Sequence, residues 1–131
     1  MEKHSYFPTF EAFKEKAKTS NIVPVFREIL ADTDTPVSAF LKIDTGADAF
    51  LLESVEGGEK WGRYSFLGVR PRMTVRSKGD RVETITPEGA ATVEGDPIEA
   101  LKGLMERFTA AAVEGLPRFY GGAIGYMGYD M

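Results

Sequence analysis

The sequence contains no cysteine and only one histidine, His4. Disulfides, thiolate metal sites and a cysteine nucleophile are therefore excluded, and no second imidazole is present to share a metal with the first. His4 lies at a terminus, where a catalytic or ligand role is not expected. Basic residues are not in excess: 16 lysines and arginines stand against 20 acidic residues, for a net charge of -4. A mildly acidic chain without a basic cluster repels phosphate backbones, so nucleic acid is not expected as a partner. Long apolar runs are missing as well. No segment approaches the about 20 residues needed to cross a bilayer, and the charged start MEKHSYFPTFEAFKEK lacks the apolar centre of a signal peptide. These absences point to the cytoplasm, with no membrane involvement. The acidic residues lack the paired helical spacing of a metal or glycosidase site and read as solvated.

What is present suits a folded chain. Hydrophobic residues make up 43% and aromatics 11%, ordinary for a globular protein and too high for disorder. At 131 residues the length fits one domain or part of one. Thr9, Phe10, Phe13 and Ala17 predict a short capped helix over residues 9–19. Ile22 to Leu30 is rich in β-branched residues and holds Pro24, which suits an edge strand or an extended entry into one. Thr35-Pro36 starts a second helix, with Val37, Phe40 and Leu41 on one face and Thr45-Gly46 at its end.

Ala49 to Val55 reads as a buried strand reaching the surface, and Glu56 to Glu59 as a turn. Short strands follow at Arg63–Val69, Met73–Ser77, Arg81–Thr86 and Ala91–Glu94, with a hairpin at Lys78-Gly79-Asp80. Asp96-Pro97 opens a third helix, carrying Ile98, Leu101, Leu104, Met105 and Phe108 and broken at Leu116-Pro117. The order is α+β: a mostly antiparallel sheet with flanking helices.

The last stretch, FYGGAIGYMGYDM, is strand-like and rich in glycine. Its glycines, at 121, 122, 125 and 128, match neither dinucleotide nor phosphate-loop spacing. They suit a strand that another backbone or sheet face approaches closely. A strand that stops with bare edges is an aggregation hazard. The expectation is a fragment whose absent remainder pairs with it.

The segment of chemical interest is FLLESVEGGEKWGRYSFLG, residues 50–68. If the strands on either side of its turn pair, Glu53, Ser54, Arg63, Tyr64 and Ser65 converge at one edge. A zwitterionic amino acid asks for such a set: acceptors for its ammonium, donors for its carboxylate and an apolar wall. Similar sets occur on many protein surfaces, so residue chemistry alone leaves the site open. Trp61 reads as a packing residue or as part of a binding wall.

In order, VPVFREIL, DTDTPVSAFLKI, FLLESVEGGEKWGRYSFLG and GLPRFYGGAIGYMGYD resemble the N-terminal portion of the anthranilate synthase component I family. The resemblance runs from about Val23 to the last residue, and the LLES element, Leu51 to Ser54, is its most specific part. It implies one half of a larger two-part α/β sandwich, with residues 1–131 forming an effector-binding region and the chorismate-binding catalytic portion lying elsewhere in a longer chain. It implies an enzyme, a lyase converting chorismate to anthranilate on the route to tryptophan. The resemblance also implies magnesium in the full-length enzyme, no cofactor in this part, and a separate glutamine amidotransferase subunit as partner.

Tryptophan is the implied feedback inhibitor. Carried over residue by residue, Leu52, Glu53 and Ser54 are its contacts, with Tyr64 and Ser65 as further candidates; Glu53 takes the ammonium and Ser54 a polar contact. No residue here is expected to be catalytic. Two other readings are weighed: the same portion of aminodeoxychorismate synthase, against which TPVSAFLKI and RYSFLG speak, and a β-rich interaction module without a ligand.

Overall fold

The computed structural model describes residues 5–53 and 64–129. Among them are three helices, α1 (Phe10–Lys16), α2 (Pro36–Ile43) and α3 (Pro97–Glu106), and five strands, β1 (Ala49–Glu53), β2 (Ser65–Val69), β3 (Thr74–Lys78), β4 (Arg81–Thr86) and β5 (Gly89–Glu94). β1 and β2 form one antiparallel sheet, and the other has the order β3-β4-β5. This is the expected α+β arrangement. The chain divides into two compact units, one of Met1–Ile29, Ser77–Val82 and Thr92–Met131, the other of Leu30–Arg76 and Glu83–Ala91.

Each helix begins where a short polar side chain can take up free backbone donors. The Thr9 hydroxyl accepts from the Ala12 amide at 3.3 Å, and the Asp96 carboxylate accepts from Ile98 and Glu99 at 2.7 and 3.1 Å. At α2 the arrangement is reciprocal: Thr35 Oγ1 accepts from Ser38 N at 3.1 Å, and Thr35 N donates to Ser38 Oγ at 2.9 Å. Asp34 joins this cap, accepting from Ser38 Oγ at 2.9 Å and from Lys42 Nζ at 2.6 Å. Those two hydrogen bonds, that of Lys42 foremost, hold its carboxyl below the usual carboxylate range. The start and the last turn of α2 are thus tied together at the surface.

The meander turns where the sequence supplies a left-handed residue. Gly79, between β3 and β4, has φ 61°, which costs a glycine nothing and a residue with a Cβ much more. The β4–β5 turn is Pro87-Glu88, so β5 starts at Gly89, earlier than the expected Ala91.

Four expectations are corrected. No strand covers residues 22–30; instead Ile22 bridges Ala110 in parallel and Phe26 bridges Phe7 in antiparallel fashion, each as a single pair. Pro24 between them lacks the N–H that a continuous ladder requires. The tail likewise holds no strand among its described residues, 119–129. A strand exists only by pairing, and Gly122 at φ 135° has left the β region.

Third, β1 is not buried, since Leu52 is 47% exposed. Fourth, α3 ends at Glu106, well before Leu116-Pro117. Asn21 explains that ending. Its side-chain amide donates to the Arg107 carbonyl at 2.7 Å, and its side-chain carbonyl accepts from the Thr109 amide at 2.6 Å. The Asn21 and Ile22 amides then both bond to the Thr109 carbonyl at 3.1 Å, drawing the chain out of the helix into the Ile22–Ala110 bridge.

Apolar faces predicted from spacing exist but remain open. Among the described residues only Val82 and Ala111 are buried. Phe10, Val37, Leu41, Ile98 and Met105, each assigned to an inward helix face, are all exposed, while Phe13, Phe40, Leu101 and Leu104 are half-buried.

Candidate functional site

The candidate residues lie on the β1–β2 pair. β1 follows α2 after a short turn in which Asp44 accepts from the Gly46 amide at 2.9 Å, with Gly46 at φ 74°. α2 lies against both strands. Asp48, just before β1, accepts from the Thr74 hydroxyl and lies 3.7 Å from the Arg76 guanidinium, which fastens the start of β1 to β3.

The register is Ala49↔Val69, Phe50↔Gly68, Leu51↔Leu67, Leu52↔Phe66 and Glu53↔Ser65. Side chains alternate between the faces of a strand, so this register sorts the candidates. Glu53 and Ser65 are directly paired and share a face with Leu51 and Leu67. Leu52 falls on the opposite face, paired with Phe66 and followed by Phe50 over Gly68. Tyr64 joins that second face: its ring stacks on Phe66 with centroids 6.2 Å apart and planes 30° apart. Ser54, the fifth candidate, lies outside the described residues, as do the expected turn at 56–59, Arg63 and Trp61.

The pair therefore brings a carboxylate and a hydroxyl together beside two leucines on one side, and one aliphatic and three aromatic side chains on the other. A ligand resting on one face reaches one set only. A ligand at the Glu53–Ser65 end of the pair, where the two strands lead into residues 54–63, reaches both. The exposure pattern suits that end: Leu52, Glu53 and Tyr64 are exposed, while Phe50, Leu51, Phe66 and Leu67 are half-buried.

Phe66 is a residue that sequence reading passed over. The alternation Tyr64-Ser65-Phe66 could have placed it beside Tyr64, had the strand start been fixed. A separate open depression of roughly 510 Å³ belongs to the other unit and is lined by Phe7, Pro8, Lys16, Ala112, Val113 and Glu114. It contains none of the candidates, and Lys16 Nζ is already engaged there with the Ala112 carbonyl. Among the described residues no group of three acidic or histidine side chains could hold a metal, and no helix is long and apolar enough to cross a membrane.

Anthranilate synthase component 1 of Acetivibrio thermocellus is 46% identical to this chain over 127 residues, 96% of the chain and 26% of that protein. This chain is homologous to part of anthranilate synthase component 1. The Pseudomonas aeruginosa member is 44% identical over 113 residues, covering 84% of this chain and 23% of its own length. The Aquifex aeolicus member is 38% identical over 126 residues, covering 94% and 25%. The chain thus spans about a quarter of the length of the curated anthranilate synthase relatives it matches. No family model matches it, and no solved structure does. The sequence resemblance, built on segments such as LLES and RYSFLG, agrees with this homology.

Proposed function

We propose that this chain is the N-terminal, effector-binding portion of anthranilate synthase component I and forms one side of its tryptophan feedback site. The observation that carries the reading is the 46% identity over 127 residues, which takes in the hairpin bearing Leu52, Glu53, Tyr64 and Ser65. In this reading the Glu53 carboxylate accepts from the tryptophan ammonium, Ser54 and Ser65 offer hydroxyls, and Leu52 with Tyr64 forms apolar wall. The chemistry belongs to the longer chain: chorismate and ammonia from glutamine yield anthranilate, with magnesium held by that other portion and ammonia delivered by an amidotransferase subunit. No residue of residues 1–131 takes part in the chemical step.

Inhibition then works by differential affinity. Tryptophan must bind the less active arrangement more tightly, and the size of the effect equals that difference. The hairpin suits such a role because Leu52, Glu53 and Tyr64 are exposed at one end, while α2 lies against both strands and Asp48 fastens the start of β1.

The test uses the complete enzyme with chorismate, magnesium and ammonia, titrated with tryptophan. Anthranilate should form without tryptophan and fall to a small residual rate with it. Formation of aminodeoxychorismate, or an anthranilate rate indifferent to tryptophan, contradicts the reading.

A further inference from the structure

Gly68 sits opposite Phe50 in the hairpin register. The Phe50 ring covers the position where a Cβ on Gly68 would project, and three of its ring atoms would be struck by that added carbon. Even Cδ1, the farthest of the three, would lie 2.9 Å away, against about 3.5–4.0 Å for carbons in contact. The glycine is not there for its own backbone freedom, because no left-handed φ occurs at this position. It is there because the ring occupies its face. Glycine within a strand often marks such a close approach, and an aromatic laid across a bare glycine restores packing that the strand would otherwise lack.

The next pair along the same face is Leu52↔Phe66, with Tyr64 stacked beyond it. Phe50, Leu52 and Phe66 therefore form one row on that face, whose seated end is the Phe50–Gly68 pair and whose other end is the proposed tryptophan contact. A ring lifted from Gly68 has to move along or away from the sheet, and the row shifts with it.

We propose that the Phe50–Gly68 seat is a positioning device for tryptophan inhibition: the ring, laid on bare backbone, fixes how Leu52 and Tyr64 stand at the hairpin end. Neither residue touches the effector. The proposal rests on the reading that tryptophan binds at this hairpin end.

The test is a double-mutant cycle in the complete enzyme with Gly68→Ala, Phe50→Ala and the pair, reading chorismate turnover and tryptophan half-inhibition separately. Each single substitution is expected to raise the half-inhibitory tryptophan concentration by about three- to tenfold with kcat and KM for chorismate preserved. The double variant is expected to go no further than the stronger single one, because both unseat the same ring. Phe50→Leu, which keeps an apolar side chain, should fall between wild type and Phe50→Ala. Unchanged half-inhibition in the single variants, in an enzyme whose Glu53→Ala form has lost sensitivity, overturns this inference alone. So do shifts that multiply in the double variant, or a loss of turnover that parallels the loss of sensitivity. A wild-type enzyme indifferent to tryptophan overturns the underlying reading and this inference with it.

Discussion

Replacing Glu53 by alanine in the complete enzyme should raise the tryptophan concentration for half-inhibition by roughly ten- to a hundredfold and leave uninhibited turnover nearly unchanged. The size follows from one charge-assisted contact to an ammonium, typically about 1.5–3 kcal/mol, at about 1.4 kcal/mol per factor of ten. The selectivity follows from place. Glu53 is the last residue of β1 and exposed, so truncating it removes no core contact, and surface substitutions of that kind stay within about 0.5 kcal/mol of stability. Ser54→Ala should act in the same direction. Half-inhibition that stays put in both variants, with the wild type fully sensitive, takes these residues out of the site.

The second large effect concerns the 131-residue chain by itself. It should self-associate at micromolar concentration and bind a hydrophobic dye, whereas the longer protein should do neither. Ile29, Leu30 and Leu41 are 69–73% exposed, and Tyr126 and Met127 are 96% and 60% exposed. In each unit, apolar side chains left this exposed favour association with another surface. β5 is exposed at every residue and stands at the edge of its sheet, a row of backbone groups open to pairing. Sedimentation velocity decides the matter. A monodisperse monomer that unfolds cooperatively, with no dye bound, would favour a self-sufficient interaction module instead.

How much of this was legible in the sequence depended on how local each signal was. Thr9, Thr35-Pro36 and Asp96-Pro97 announce helix starts because a cap is satisfied within three residues of itself, and the caps observed are those three. Gly79 marks the β3–β4 turn for the same reason. The end of α3 was invisible, because the residue that captures it, Asn21, is 86 positions before Arg107 and 88 before Thr109. Strand propensity at 22–30 and 119–129 misled because propensity describes a surface that fits a sheet and does not supply the neighbouring strand.

The site was legible as a segment but not as a geometry. Residues 50–68 carry the candidate chemistry in plain order, yet the division of Glu53 and Ser65 from Leu52 and Tyr64 depends on register, where a shift of one residue exchanges the faces. The seat of Phe50 on Gly68 depends on the same register and could not be read from either residue alone.

The most direct measurement is amide hydrogen exchange on the complete enzyme with and without saturating tryptophan. The account predicts slowed exchange concentrated at Leu52–Ser54 and Tyr64–Phe66, with little change in α1 and α3. Protection confined to other segments, with this hairpin end exchanging as fast as before, would contradict it.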